Sequence, residues 1–223
     1  MRPEDFPSTR YDFNSYITKH RLITYWYQFK EISALSPKNL LEVGVGTGLV
    51  TSYLQWCGVN VKTFDINESL SPDILGSILD AKSTVELSAY DVVLCARVLH
   101  HLPFDKFSDA LFNLSEISKK HVVLTLPVED ASFYISMRYT SSKFFTRSIS
   151  FPLFIKKILF LLKQGAKKEE RQSSLWKIND SNERSMDVIT TIINENFTII
   201  DSYGIPEDKA HHVFVLEKNF TKT

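Results

Sequence analysis

Three glycines in five residues, Gly44, Gly46 and Gly48, close the run Leu40-Leu-Glu-Val-Gly-Val-Gly-Thr-Gly48. An apolar stretch enters this turn and a helical pattern leaves it. Glycine lets the backbone bend sharply and lets a ligand come close to it. A helix that starts there offers free N–H groups to negative or polar ligand atoms. A glycine turn alone is a weak signal. Asp65, in Phe64-Asp65-Ile66, strengthens it. It comes about 20 residues later, the spacing at which an acid takes the two ribose hydroxyls of an adenosine-containing ligand. The plainer alternative is a solvated loop acid, and the spacing favours the ribose role.

Glu42 narrows the ligand. A dinucleotide site has the pattern G-x-G-x-x-G, whereas here the third glycine comes one residue early. An acid two residues before the first glycine would repel a pyrophosphate but suits a cationic amino group. S-adenosylmethionine carries an ammonium and a sulfonium and no phosphate, so charge favours it over NAD. The alternative for Glu42 is an acid placed at the dipole of the following helix.

His100 and His101 come just after an apolar run. Histidine titrates near neutral pH, so either could act as a general base on a hydroxyl or amine, or could simply cap or pack. A base is not obligatory, because proximity and in-line alignment supply most of what methyl transfer needs. In the N-terminal stretch, Tyr11, Tyr16, His20, Arg21, Tyr25, Trp26 and Tyr27 could form a lid. Its aromatics would face the sulfonium, and Arg21 would take the methionyl carboxylate. The alternative is an amphipathic helix packed on a sheet.

Several elements must position these residues. Residues 12–35 predict one or two helices, ended by Ser36-Pro37. Asn39 to Gly44 is a buried strand running into the turn. Thr47–Trp56 is a helix capped by Gly58. Val59–Ile66 and a shorter Ile74–Leu79 are strands. Tyr90–Ala96 is a continuous apolar strand of the kind buried on both faces of a parallel sheet. Phe104–Lys119 is a helix, and His121–Leu126 a strand closed by Pro127. This alternation marks βαβ units. Glu183–Asn196 is then a helix, and Phe197–Tyr203 and His212–Glu217 suit an antiparallel pair joined by Gly204–His211.

Between Pro127 and Asn182 lies a long irregular insertion. Residues Ala131–Lys168 contain no acid but carry Arg138, Lys143, Arg147, Lys156, Lys157, Lys163, Lys167 and Lys168. A helix from Phe151 would place lysines 156, 163 and 167 on one face and apolar residues on the other. Residues 151–168 could touch anionic lipid, lid the substrate, or present an ordinary solvated basic face. Leu175-Trp176-Lys177 could line an acceptor pocket.

Composition sets outer bounds. The 223 residues suffice for one domain with a substantial core. Lys plus Arg, at 26, balances Asp plus Glu, at 26, so no global field draws the chain to nucleic acid or a membrane. Nor does it contain an Asn/Asp-Pro-Pro-Tyr motif of base-flipping enzymes. Cys57 and Cys95 lack CxxC neighbours, and no His/Asp/Glu cluster has ligand spacing, so no metal is expected. The N-terminus lacks the apolar core of a signal peptide, and no apolar stretch is long enough to span a bilayer, so a cytoplasmic location is expected.

LLEVGVGTG, FDI, YDVVLCARVLHHLP and HVVLTLP together resemble motifs of the class I S-adenosylmethionine-dependent methyltransferases. The likeness covers residues 38–127 closely and the C-terminal strand pair loosely. It implies an α/β Rossmann-like three-layer sandwich with a seven-stranded, mostly parallel sheet whose last strand is antiparallel. The chain would be one domain, 1–223, with an N-terminal helical lid over 1–37 and a basic, partly helical insertion over 128–182. The resemblance also implies that Gly44, Val45, Gly46 and Gly48 shape the methionine side. Asp65 would hold the ribose, Ile66 would pack on adenine, and Ala96 would lie beside the methionyl chain. Gly76-Ser77-Ile78-Leu79-Asp80 resembles the adenine-contact stretch, but many members have an acid where Ser77 stands, so Ser77, Asp80 or backbone could meet the adenine amino group. His101 resembles a commonly placed histidine. The expected reaction moves a methyl group to an oxygen or nitrogen of a small molecule, such as a specialised metabolite or a membrane-associated sugar precursor. The rivals are an NAD-dependent oxidoreductase and a non-catalytic binding partner of the same fold.

Overall fold

The computed structural model describes Tyr11, residues 16–129, the backbone of residues 132–138 and 144–150, and residues 175–219. The described elements are, in chain order, α1 Lys19–Leu35, β1 Asn39–Val43, α2 Leu49–Trp56, β2 Asn60–Asp65, β3 Ile74–Leu75, α3 Ala81–Thr84, β4 Tyr90–Ala96, α4 Phe107–Ile117, β5 Ser118–Pro127, β6 Ser132–Arg138, β7 Phe144–Ser150, α5 Met186–Asn194, β8 Phe197–Ile205 and β9 Asp208–Lys218.

Seven strands form one sheet in the order β3-β2-β1-β4-β5-β9-β8. The pairings among β1 to β5 are parallel, and β9 runs antiparallel to both β5 and β8. The expected seven-stranded sheet with its last strand antiparallel is the sheet observed. Leu40, Leu41, Val92, Val93, Leu94, Val122, Val123 and Leu124 are wholly or almost wholly buried, as strands sandwiched between helical layers must be. On one face the core joins Leu41, Val93 and Val122 to Leu111 and Leu114 of α4 and Ile189 and Ile193 of α5. On the other it joins Leu40, Val92 and Val123 to Tyr27 and Ile32 of α1 and Val50 and Leu54 of α2. Sequential strands step outward from β1 to β3, and the chain then crosses to β4 on the other side of β1. A cleft opens at such a reversal, beyond the carboxyl ends of the strands.

Several expected boundaries move. Helix α1 starts at Lys19, where the Thr18 hydroxyl accepts the Arg21 N–H at 3.3 Å; Tyr16 before it is also helical, and residues 12–15 lie outside the described residues. Gly58 has φ +88° just after the Cys57 cap of α2, in keeping with the helix stop expected there. The strand expected over Ile74–Leu79 stops at Leu75, because Ser77 caps a 3-10 turn over Ile78–Asp80 by accepting the Leu79 N–H at 3.2 Å. Strands β8 and β9 run closer together than expected, with only Pro206 and Glu207 between them.

The insertion is not irregular throughout. Strands β6 and β7 pair antiparallel, Ser132 opposite Ser150 and Arg138 opposite Phe144. The helix expected from Phe151 lies outside the described residues. Among the described residues no helix is long and apolar enough to cross a membrane.

Candidate active site

The cleft at the strand reversal gathers the ends of β1, β2 and β4. Parallel register places Glu42 opposite Thr63 and Leu94, and Val43 opposite Phe64 and Cys95. The loops leaving these three strands therefore meet at one edge of the sheet. Glu42, Gly44, Val45, Gly46, Asp65, Ile66, Ser77, Ile78, Ala96, Arg21, His100 and His101 all line this cleft. Gly48 and Asp80 do not.

The glycine turn is left-handed at Gly44, φ +86°, and Gly46, φ +55°. A Cβ on Gly44 would stand 2.4 Å from Val98 Cγ2, so this position needs glycine both for its φ and for its neighbour. Gly48, φ +69°, caps α2 and shapes the helix start rather than the cleft wall. Asp65 reaches back from β2, its Oδ2 accepting the Val45 N–H at 2.8 Å and its Oδ1 the Asn67 N–H at 2.8 Å. These bonds hold the turn against the neighbouring strand and leave each oxygen with further acceptor capacity.

Glu42 is buried, and the Thr51 hydroxyl donates to its Oε2. Burial raises its pKa to about 7, and the Thr51 hydrogen bonds only partly offset this. The carboxyl is therefore poised to ionise when a cation arrives. It is held in place by Thr51 in the first turn of α2, so it also lies where an acid meets the dipole of that helix.

The Gly76–Asp80 segment is fixed from behind. Asn113 of α4 donates to the Ile78 and Leu79 carbonyls at 2.9 and 2.7 Å. The Gly76 N–H donates to the Asp65 carbonyl at 2.9 Å, and a Cβ on Gly76 would stand 2.8 Å from the Phe64 ring.

After β4, the 3-10 turn Leu99–His101 carries both histidines, their ring centroids 4.0 Å apart. His100 is buried, and its Nδ1 has no hydrogen-bond partner among the described residues. Burial, and after it the charges of His101 and Arg97, holds its pKa well below the ordinary value, so the ring is neutral at pH 7.

The N-terminal residues divide. Tyr11, Tyr16, Arg21 and Tyr25 line the cleft. The Arg21 guanidinium lies 3.6 Å over the Tyr16 ring, and Tyr25 Oη lies 3.3 Å from Thr47 Oγ1 on the turn. His20 and Trp26 are exposed, while Tyr27 is buried and donates to Glu207 at 2.8 Å. These three stand outside the cleft lining.

Trp176 corrects an expectation. It does not line the cleft but is buried edge-on against the Phe104 and Phe107 rings, donating from Nε1 to the Leu102 carbonyl at 2.9 Å. Leu175 donates its N–H to the His100 carbonyl at 2.9 Å. This segment clamps the histidine turn from behind.

Arg97, Thr47, Gln28 and Val98 also line the cleft and were not anticipated. Arg97 was detectable as the one charge inside the apolar run from Val92 to Leu99. Among the described residues no group of three His, Cys, Asp or Glu is placed to hold a metal ion.

Comparison with solved structures places this arrangement among known folds. The 1,6-didemethyltoxoflavin-N1-methyltransferase of Burkholderia thailandensis, solved with 1,6-didemethyltoxoflavin and S-adenosylhomocysteine, superposes with a TM-score of 0.58 at 14% identity, over 98% of this chain and 87% of that one. The magnesium protoporphyrin IX methyltransferase of Synechocystis PCC 6803, solved with S-adenosylhomocysteine, gives 0.56 at 13%, over 90% and 83%. The N-methyltransferase NodS of Bradyrhizobium japonicum WM9, also with S-adenosylhomocysteine, gives 0.56 at 12%, over 93% and 92%. At these identities the likeness establishes the fold. No curated protein matches the sequence significantly. A family model described as a methyltransferase domain matches residues 19–177, a span that runs from α1 to the Trp176 clamp and takes in every cleft residue except Tyr11 and Tyr16. The chain belongs to the methyltransferase domain family.

Proposed function

We propose that this chain transfers a methyl group from S-adenosylmethionine to an oxygen or nitrogen of a small-molecule acceptor. The observation that carries the reading is the presence in one cleft of Asp65, with lone pairs left for ribose hydroxyls, and the buried Glu42 beside a glycine turn. An enclosed carboxyl at that turn is hostile to a pyrophosphate and suited to an ammonium. The residues present thus fit the group. The family match also speaks for methyl transfer rather than dinucleotide-linked redox chemistry. It does the same against a binding partner without turnover.

When bound, S-adenosylmethionine supplies an electrophilic methyl carbon, which passes to the acceptor atom and leaves S-adenosylhomocysteine. Asp65 holds the ribose, Glu42 the ammonium and Arg21 the carboxylate. Ile66, Ser77 and Ile78 flank the adenine, and Ala96 the methionyl chain. Tyr16 and Tyr25 close the cleft from α1 and the residues before it. His100 stays neutral and meets the acceptor as a hydrogen-bonding group, since burial makes its imidazole a poor sink for a full proton; His101, on the same turn, is the alternative proton acceptor. Alignment supplies the larger part of the rate.

Among small acceptors a specialised metabolite is favoured, in line with the fold shared with the toxoflavin-precursor enzyme. The sugar-linked, membrane-associated alternative draws on the basic residues 151–168, which lie outside the described residues. We take residues 1–223 as one methyltransferase domain and the cytoplasm as its compartment, with Cys57 and Cys95 as free thiols.

The test is calorimetric titration with S-adenosylmethionine, S-adenosylhomocysteine and NAD. Micromolar binding of the first two without NAD supports the reading, and binding of NAD alone overturns it.

A further inference from the structure

Two stripes of apolar side chains run side by side on the outer face of α1 and α2. On α1, Leu22, Trp26 and Phe29 follow at steps of four and three residues; on α2, Leu49, Tyr53 and Trp56 repeat the same steps. That spacing keeps each set on one side of its helix. The ring centroids of Phe29 and Tyr53 lie 4.6 Å apart and join the stripes, and Trp56 stacks on Tyr53 at 6.1 Å. Trp26 is 57% and Trp56 82% exposed, and Leu22, Leu49 and Tyr53 are exposed with them. The core is served by other residues of the two helices, Tyr27, Ile32, Val50 and Leu54. Of the chain's three tryptophans, two stand on this face and only Trp176 is buried. A contiguous apolar patch of this kind marks an interaction surface.

Charge says what it meets. Helix α1 carries Lys19, Arg21 and Lys30 against one acid, Glu31, and α2 carries no charged residue. Glu31 is buried and bound by Lys30 at 2.7 Å and by the Tyr203 hydroxyl, so that pair closes on itself. Lys19 is exposed three residues before Leu22, at one end of the stripes. Lys38 is exposed at the other end, where its carbonyl accepts the Asn60 N–H just beyond α2 at 3.0 Å. Asp91, the acid beside Lys38, accepts the Lys38 and Asn39 N–H groups at 3.0 Å and pairs with Lys119 at 3.4 Å. The face is thus apolar between two exposed lysines. A second copy of the chain would set two such basic faces against each other, and like charges repel. Tryptophan and tyrosine, apolar bodies with polar tips, suit a boundary that is greasy on one side and wet on the other.

We propose that the outer face of α1 and α2 seats this protein on an anionic lipid surface, with Trp26, Tyr53 and Trp56 entering the interface and Lys19 and Lys38 meeting the headgroups. Arg21 and Tyr25 of α1 line the cleft, so the seated helix brings the rim of the cleft to the lipid. The surface is separate from residues 151–168, and the inference does not depend on the S-adenosylmethionine reading.

The experiment sediments the full chain with vesicles of phosphatidylcholine alone and of an equal mixture of phosphatidylcholine and phosphatidylglycerol. The parent should bind the anionic vesicles, bind the neutral ones more weakly, and lose affinity as salt rises. Trp26→Gln with Trp56→Gln should weaken anionic binding by at least about tenfold, and Lys19→Gln with Lys38→Gln by about the same factor, roughly fivefold for each lysine. Trp26→Phe with Trp56→Phe keeps the apolar area and should retain most of the binding. That pair guards against misfolding of the glutamine variant. Brominated lipid in the anionic vesicles should quench the fluorescence of the parent but spare the phenylalanine pair, whose remaining Trp176 is buried. No binding by the parent, equal binding to both vesicles, or binding without quenching overturns the proposal. So does binding that survives in the Trp→Gln pair but is lost when Lys156, Lys157 and Lys163 become glutamine, which would place the contact on residues 151–168. Lipid-free dimerisation of the parent, abolished by Trp26→Gln with Trp56→Gln, would assign the face to a second copy and also overturns it.

Discussion

The Asp65 carboxylate holds the glycine turn from the next strand, its Oδ2 accepting the Val45 N–H at 2.8 Å. The same acid is thus both scaffold and candidate ribose ligand. Asp65→Ala should lower S-adenosylhomocysteine affinity by roughly one to two orders of magnitude, the worth of a hydrogen bond or two to a charged group, and should also lower the melting temperature. Asp65→Asn keeps one acceptor oxygen and should fall between. Calorimetry and thermal melts check this. An alanine variant that binds like the parent would sink the ribose assignment.

Gly44 faces Val98 so closely that a methyl group has no room, 2.4 Å from Val98 Cγ2, and its φ of +86° adds a separate penalty. Gly44→Ala should cost about 1–2 kcal/mol from φ alone, with steric overlap on top. Adding Val98→Ala should recover the steric part and leave the backbone part. Denaturation of both single variants and the double variant measures the coupling. Strict additivity would mean that the contact does not limit the turn.

The sheet was legible because its strands are simple statements of burial. Tyr90–Ala96 is apolar end to end, and Asp65 comes after the turn at a spacing set by one βαβ unit. Local polar caps were harder to see. Ser77 shortens β3 by bonding the Leu79 N–H, and nothing in Ile74–Leu79 but Gly76-Ser77 announces it. The pairing of β6 with β7 joins neighbouring segments, Arg138 opposite Phe144, with no Gly or Pro to mark a turn between them. Its one local signal is the alternation of Phe133, Ile135 and Met137 with Ser132, Tyr134 and Ser136, which composition and charge do not register. Trp176 looked like a pocket residue because tryptophan serves pockets and cores alike. Only the fold places its indole against Leu102.

Glu42 should make both stability and binding depend on pH. Burial raises its pKa from 4.5 to about 7. Its contribution to stability is therefore full below the unfolded value and is lost as pH rises through about 7, a swing of at most about 3 kcal/mol. His100 and His211 act in the opposite sense. Burial lowers both, so their contribution is present above the ordinary histidine value and is lost on acidification. Glu42→Gln isolates the acid. The variant should gain stability over the parent as pH rises from the unfolded value of 4.5 to about 7, yet bind S-adenosylhomocysteine more weakly at the upper end, because it cannot ionise against the ammonium. Denaturant melts and titrations between about pH 5 and pH 8 track both effects. A parent whose affinity stays flat across that range would remove Glu42 from the ammonium site.

Trp176 should control the histidine turn without touching the cleft. Its indole packs edge-on against the stacked rings of Phe104 and Phe107 and binds the Leu102 carbonyl at 2.9 Å, while its neighbour Leu175 binds the His100 carbonyl at 2.9 Å. Trp176→Phe keeps most of the packing but orphans that carbonyl, at a cost of about 1–3 kcal/mol. Trp176→Ala also opens a cavity and should cost about 3–5 kcal/mol. Because Asp65, Glu42 and the glycine turn sit on other strands, S-adenosylhomocysteine affinity should survive in the phenylalanine variant, while methyl transfer to an identified acceptor should slow as His100 and His101 lose their fixed placement. Loss of cofactor affinity in step with turnover would show that the clamp supports the whole cleft rather than the acceptor side.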